Sequence, residues 1–237
     1  MAGEKPELDC QGKTLGAFYI LLGAGFSILL IWSLIQFPLL PVPTGDAKWA
    51  TTWLVTTVVD YYVTAACFCG VAIATEGLGI GLVWSLLTLI LGAPFAAFYT
   101  ALHVYRAGHL RLRDFAYTSV DTPADPKKKL PATAQWILVA VYVVAGLAFA
   151  SRLSWTLFNY PLVPLQTDSF EWGSEWVITT VGDIYTVVLC LLGMILATES
   201  GVVAGLWAVA LLVLAGPGAC AYLAQRALRG RPIALES

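Results

Sequence analysis

The sequence predicts an all-α membrane protein of six transmembrane helices, built as a 3+3 inverted repeat. Of its 237 residues, 59% are hydrophobic and 12% are charged, against about 45–50% and about 25% in an ordinary soluble domain. Apolar stretches of about 18 residues or more are typical of membrane-spanning helices. Six such stretches cover residues 14–36, 51–75, 78–105, 135–158, 176–198 and 201–228.

An internal repeat organises these stretches. Shifting the chain by 123 residues aligns residues 16–106 with 139–229 without a gap, and 31 of the 91 pairs are identical. The segment WATTWLVTTVVDYY, from Trp49, matches WGSEWVITTVGDIY, from Trp172. The predicted organisation is an N-terminal tail (1–13), a first repeat (14–106), a polar linker (107–134), a second repeat (135–229) and a C-terminal tail (230–237).

The direction of the second repeat follows from counting spans. Each repeat holds three, an odd number, and the polar, proline-containing linker cannot cross a bilayer. We therefore expect the second repeat to enter from the opposite face, as in several secondary-transporter folds. On this topology the N-terminal face carries five Lys and Arg residues and the other face seven, which weakly favours the second face as cytoplasmic or stromal.

The helix ends carry residues typical of a membrane interface. Amphipathic indole rings favour this boundary, so we expect an aromatic belt at the starts of the second and fifth spans, formed by Trp49, Trp53, Trp172 and Trp176. Residues 1–13 contain acids as well as lysines, and no small-residue cleavage site is visible. The first span is therefore expected to be retained as an anchor.

Two carboxylates lie inside predicted spans. Asp60 belongs to the second span, and Asp183 is its equivalent in the fifth. At about 1.5 Å per residue, each lies roughly 10 Å below the nearer face. Ionisable residues inside a membrane are costly and are candidates for function. The basic residue within a span, Arg152, has a depth similar to that of Asp183, so these two are expected to form a structural ion pair.

Asp60 has no such partner in the sequence, because the position equivalent to the spanning arginine is Leu29 in the first repeat. Burial without a counter-ion favours the neutral form of a carboxylate. An acid that changes between neutral and charged forms suits proton or cation coupling. The alternative is a protonated acid that hydrogen-bonds a neighbouring helix through Thr56, Thr57 or Tyr62.

Glycine and proline interrupt the third apolar stretch of each repeat, in LGAPF (91–95) and LAGPG (214–218). Such interruptions at matching positions of two halves are pointers to a transporter binding site, although prolines also kink membrane helices for packing alone. The candidate ion or solute site consists of Asp60, Asp183, Pro94 and Pro217. Each proline is expected in the same leaflet as the acid of its own repeat.

Four charged residues end predicted spans. On the inverted topology they can pair only between repeats, Glu76 with Arg229 on one face and Glu199 with Arg106 on the other. The alternative is four solvated charges, worth less than about 1 kcal/mol per pair.

Several classes of protein are disfavoured. A formal charge of -2 and a pI near 5.6 leave no basic surface for nucleic acid. The motifs of zinc proteases, serine hydrolases, P-loop proteins and dinucleotide-binding enzymes are missing, so neither an enzyme activity nor a catalytic residue is predicted. No lysine lies in a span, which excludes a retinal Schiff base. Two histidines and five mostly intramembrane cysteines give no matching ligand set, so neither a metal nor another cofactor is expected.

The stretch WLVTTVVDYY (53–62), followed by ATE (74–76), Trp84 and Pro94, resembles a plant and algal family of multi-pass membrane proteins, domain of unknown function 1475. The resemblance covers roughly residues 49–100 and, more loosely, 172–223. It departs at VDY (59–61), which becomes GDI (182–184) in the second copy. Because that family has no assigned activity, the resemblance implies a multi-pass membrane protein, duplicated in tandem, and no catalytic residue.

Two functions are candidates for such a multi-pass protein. One is transport or binding of a small solute or cation, with Asp60 as the titratable group. The other is a structural or assembly subunit that binds lipid, pigment or partner membrane proteins through small residues on its helix faces. A water-accessible cavity that reaches Asp60 favours the first, and dry packing around this residue favours the second. In both cases the lipid bilayer is an expected partner.

Overall fold

The computed structural model describes residues 10–40, 48–113, 132–163, 165 and 171–236. Within these ranges the chain is all-α, as predicted. Its helices are α1 (Cys10–Gln36), α2 (Lys48–Leu91), α3 (Pro94–Ala107), α4 (Ala132–Asn159), α5 (Glu171–Thr198), α6 (Gly201–Leu214) and α7 (Gly216–Leu228).

Four helices are long and apolar enough to cross a membrane by length and composition: Cys10–Gln36, Lys48–Leu91, Gln135–Asn159 and Glu171–Thr198. A fifth apolar helix, α6, has only 14 residues. Large apolar side chains point outward along the long helices, among them Leu21, Ile28 and Leu147. Such a surface is compatible with an integral membrane protein, because a lipid-facing helix exposes apolar residues.

The chain of α2 reverses at Gly77, whose backbone angles are φ 80° and ψ 176°. Beyond this glycine the helix runs back along its own first part. The Sγ atom of Cys69 lies 3.8 Å from the backbone oxygen of Ser85, and the hydroxyl of Tyr61 donates to the backbone oxygen of Thr88. Residues 48–76 and 78–91 are therefore two antiparallel arms joined where glycine accepts a positive φ.

The third apolar stretch of each half is a hairpin of two short helices, not one span. In the first half, the rings of Trp84 and Tyr99 are 5.5 Å apart, which places α3 antiparallel to residues 78–91. In the second half, the equivalent rings of Trp207 and Tyr222 are 5.3 Å apart. The prediction of one continuous helix over 78–105 and another over 201–228 was therefore wrong, because each stretch forms two short helices. The chain turns where φ is positive, 95° at Gly92 and 43° at Ala215, just before the prolines that cannot continue a helical hydrogen-bond ladder.

The two halves run in the same direction. The indole N–H of Trp49 donates to the oxygen of Pro161, and that of Trp172 donates to the oxygen of Pro38, both over 2.9 Å. These reciprocal bonds join the start of α2 to residues 160–163 and the start of α5 to residues 37–40, at one end of the molecule that we call the loop face. Because each half has two long helices and one returning hairpin, the second half starts on the same face as the first. The predicted inverted repeat is therefore corrected to a parallel one.

The opposite end, the tail face, is formed by residues 108–113 and 231–236. Leu112 and Leu235 pair there in an antiparallel bridge. The amide of Leu112 donates to the Thr198 hydroxyl, and the amide of Leu235 donates to the Thr75 hydroxyl, each over 2.9 Å. All these positions are related by the same offset of 123 residues, so the internal repeat extends beyond residues 106 and 229. A pseudo-two-fold axis thus runs from the tail face to the loop face.

The core lies where the two halves meet. Helices α2 and α5 contact each other, α1 packs against α3 and α5, and α4 packs against α7 and α2. The main cluster of buried residues includes Phe68, Val71, Val187 and Val188, all without solvent exposure. Each half therefore depends on the other to bury its inner helix faces, and the two do not form separate domains.

Candidate functional site

Asp60 caps the hairpin tip of the opposite half. It lies on α2, and its Oδ1 atom accepts a hydrogen bond of 2.9 Å from the backbone N–H of Gly216. Gly216 is the first residue of α7. The first amides of a helix have no partner within the helix, and the positive end of its dipole favours a carboxylate. Asp60 therefore provides an acceptor that α7 does not find in its own sequence.

Asp183 makes the equivalent contact. It lies on α5, and its Oδ1 atom accepts a hydrogen bond of 2.7 Å from the backbone N–H of Ala93, the N-cap residue of α3. The N-cap residues of α3 and α7 are both alanines, and neither helix has a side-chain cap from its own segment. Both helix ends are thus capped by an acid from the other half.

The members of the predicted four-residue site are brought together in crossed pairs. Asp60 lies beside the break that precedes Pro217, and Asp183 lies beside the break that precedes Pro94. The expected grouping of each acid with the proline of its own repeat is therefore corrected. The physical reason is the hairpin, because the tips of the two hairpins cross the pseudo-two-fold axis and meet the opposite inner helix.

At the Asp60 contact a glycine, Gly216, occupies the position that is Ala93 in the other half. A Cβ atom at Gly216 would lie 2.5 Å from Oδ1 of Asp60, 3.0 Å from Cγ1 of Val63 and 3.2 Å from Oγ1 of Thr64. The first distance is shorter than real Cβ contacts, so the Asp60 carboxylate would have to shift. In this half the packing around residue 216 is thus fitted to a glycine.

The predicted pair of Arg152 and Asp183 is not formed. The guanidinium carbon of Arg152 lies 4.9 Å from the centre of the Trp155 ring, on the same helix. Among the described residues, α4 packs mainly against α7 and α2, whereas the helix of Asp183 packs mainly against α2, α6 and α1. In the described part of the chain, salt bridges within 4.0 Å involve neither Asp60 nor Asp183.

The helix-end charges pair within each half. Arg106 lies 4.0 Å from Glu76, and Arg226 lies 3.5 Å from Glu199. The expected pairs of Glu76 with Arg229 and of Glu199 with Arg106 are replaced, because each hairpin returns to the face from which it starts. The second pair is the deeper one, since Arg226 is 1% exposed and Arg106 is 59% exposed.

Sequence reasoning missed the polar contacts that join the halves. Thr56 and Thr156 share a hydrogen bond of 2.9 Å, and their equivalents Thr179 and Ser33 share one of 3.0 Å. The four tryptophans expected in an aromatic belt also serve this interface: besides the two indoles already described, Trp53 donates to the oxygen of Tyr160, and Trp176 to that of Phe37. The signal available in the sequence was the repetition of these polar and aromatic residues at an offset of 123.

The described residues include no group of three or more His, Cys, Asp or Glu side chains that could hold a metal ion. His103 instead lies at the tail face, with Nε2 2.9 Å from the backbone oxygen of Glu236. No family model, no curated protein and no solved structure matches the chain. The resemblance to domain of unknown function 1475 therefore stays a prediction.

Proposed function

We propose that this is an integral membrane protein with four crossings and two re-entrant hairpins. Residues 10–36, 48–76, 135–159 and 171–198 would cross the bilayer, and both hairpins would enter from the tail face. An arm of 14 residues, such as α6 or α3, is about 21 Å long, less than a hydrocarbon core of about 30 Å. The hairpin tips, with their acids, would thus lie inside the membrane.

We further propose that the tail face is cytoplasmic or stromal. Among the described residues, one basic side chain, Lys48, starts a helix at the loop face. Seven basic residues belong to the helix ends and segments of the tail face: Lys13, Arg106, Arg111, Arg113, Arg226, Arg229 and Arg231. Cytoplasmic segments of membrane proteins are enriched in Lys and Arg. This orientation keeps Arg106, Arg111 and Arg113 on the cytoplasmic or stromal side, as the six-span topology weakly favoured, and moves Lys13 to that side as well.

For the activity, we propose transport of a proton or a small cation through the two hairpin tips. The observation that carries the proposal is the position of two carboxylates at helix breaks, with backbone amides as partners and no basic residue within 4.0 Å in the described part of the chain. Broken helices inside a membrane are typical of ion and solute sites. A cation or proton that neutralises Asp60 would weaken its bond to Gly216, and the hairpin tip would be free to move.

A structural or assembly role is the second candidate. Each carboxylate already accepts a hydrogen bond from a backbone amide, which is sufficient reason for an acid at this place. In this case Asp60 and Asp183 only hold the two halves together, and lipid or partner membrane proteins would bind the exposed apolar helix faces.

Flux measurements separate the two functions. The purified protein would be reconstituted into liposomes, and uptake of protons, Na⁺ and K⁺ would be followed under imposed gradients for wild type, Asp60→Asn and Asp183→Asn. We expect cation-dependent flux in wild type that is lost in Asp60→Asn, while the melting temperature changes little because asparagine keeps an acceptor oxygen. Wild-type protein without flux under any of these gradients would contradict transport and favour the structural role.

The topology has its own test. Cysteines would be introduced one at a time at His109 and Leu40, both exposed, in a Cys10→Ser background, and labelled with a membrane-impermeant maleimide in sealed vesicles. We expect His109→Cys to react from the same side as Cys10 does in the wild-type protein, and Leu40→Cys from the opposite side. Reaction of His109→Cys from the side of Leu40→Cys would instead support six crossings.

A further inference from the structure

Two buried cysteines from opposite halves touch each other. Cys67 lies on α2 and Cys220 on α7, and their Sγ atoms are 3.5 Å apart. Both are free thiols, and the two residues are 0% and 1% exposed. A disulfide has a sulfur–sulfur distance of about 2.0 Å, so the two sulfur atoms need to approach by only about 1.5 Å.

This thiol pair occurs once in the molecule and is not a consequence of the duplication. The position equivalent to Cys67 is Cys190, but the position equivalent to Cys220 is Ala97. The pair also shares the interface that contains the Asp60 contact. Cys67 follows Asp60 by about two helical turns on α2, and Cys220 follows Gly216 by about one turn on α7.

Both thiols line an apolar groove of about 370 Å³ between α2, α4 and α7. The groove exists because several of its lining residues are smaller than the residues at the equivalent positions on the other side of the molecule. Val141, Ala145 and Ala66 line it, whereas the equivalent positions of the other half hold Phe18, Leu22 and Leu189. Its lining also includes Val59 and Tyr62, which are exposed on the outer surface of the helices. An apolar molecule dissolved in lipid can therefore enter the groove beside the thiols, whereas burial disfavours access by ions.

We propose that Cys67 and Cys220 form a reversible disulfide when a lipid-soluble benzoquinone enters this groove. The two S–H bonds break, one S–S bond forms, and two electrons and two protons pass to the quinone, which leaves as the hydroquinone. The new bond joins α2 of the first half to α7 of the second half. Oxidation therefore fixes the hairpin tip against the helix that carries Asp60, independently of whether that acid handles a cation.

The test counts free thiols in the full-length protein. A Cys10→Ser background removes the exposed cysteine and leaves four thiols. Native protein in lipid nanodiscs would be treated with tetramethyl-benzoquinone or with copper–phenanthroline in air. The four methyl groups leave no free ring position at which a thiol could add to the quinone. After unfolding in detergent and alkylation with a heavy maleimide, we expect two thiols instead of four. Dithiothreitol should restore all four, and the oxidised protein should melt at a higher temperature.

Two variants identify the pair. Cys220→Ala reproduces the residue at the equivalent position 97, so it should fold and should keep its three thiols under both oxidants. Cys69→Ser should still lose two thiols, because Cys69 faces Ser85 instead. Four thiols after both oxidants would overturn the disulfide, as would thiol loss in Cys220→Ala. Formation with copper–phenanthroline but not with the quinone would overturn the quinone as the oxidant.

Discussion

The carboxylate of Asp60 and the backbone amide of Gly216 are hydrogen-bonded over 2.9 Å, although 156 residues separate them in the chain. The same bond joins Asp183 and Ala93 over 2.7 Å. Each half of the molecule thus caps the start of one helix of the other half. Neither hairpin tip has a capping side chain from its own segment, so this acceptor comes from the opposite half.

Replacing Asp60 by alanine should destabilise the protein, because the Gly216 amide would be left buried without an acceptor. The expected cost is about 1–3 kcal/mol, measured as a lower melting temperature in detergent. Asp60→Asn, which keeps an acceptor oxygen, should lose much less. Equal losses for the alanine and asparagine variants would show that the charge, and not the hydrogen bond, stabilises this contact.

Gly216→Ala should also destabilise the protein, since the added Cβ would lie 2.5 Å from the Asp60 oxygen. Overpacking of this kind typically costs about 1–3 kcal/mol. The matched control is Gly205→Ala in α6, where no atom lies within 4 Å of the added Cβ. That substitution should be neutral or slightly stabilising, because alanine favours a helix more than glycine does. The prediction fails if the two variants unfold at the same temperature.

The two helix-end ion pairs should differ in their contribution to stability. Glu199→Gln leaves Arg226 buried without its carboxylate, and breaking a buried pair costs up to about 3–5 kcal/mol. The backbone oxygens of Arg113 and Pro232 still accept bonds from this guanidinium, so we expect the lower end of that range. Glu76→Gln affects a pair whose arginine is exposed and should change stability by less than about 1 kcal/mol. Thermal unfolding of both variants measures the difference. A larger loss of stability for Glu76→Gln would contradict the conclusion that the pair of Arg226 and Glu199 is the more deeply buried one.

The indole hydrogen bonds at the loop face should contribute measurably. Trp53→Phe removes the donor to the oxygen of Tyr160 and keeps most of the ring volume. We expect the free energy of unfolding to fall by about 0.5–1.5 kcal/mol. Chemical unfolding in mixed micelles measures this loss. Trp136→Phe is the control, because Trp136 is 63% exposed on α4. A loss at Trp136 as large as that at Trp53 would point to lipid contact as the role of both rings.

Hydropathy and internal similarity were sufficient for the coarse architecture. The long apolar stretches predicted an all-α chain compatible with a membrane, and the offset of 123 residues paired Asp60 with Asp183 and Pro94 with Pro217. These features depend on residue type alone. The same offset relates the tryptophan bonds of the two halves to each other, and likewise the bonds between hydroxyl side chains.

Chain direction within the third stretch could not be read in this way. One spanning helix over residues 78–105 and two antiparallel helices joined at residues 92–93 expose the same apolar side chains and have the same hydropathy. The choice depends on distant partners: Tyr99 against Trp84, and Asp183 on the amide of Ala93. Because a single reversal changes the number of crossings from odd to even, it also decided the relative direction of the halves, the ion pairs and the partner of each acid.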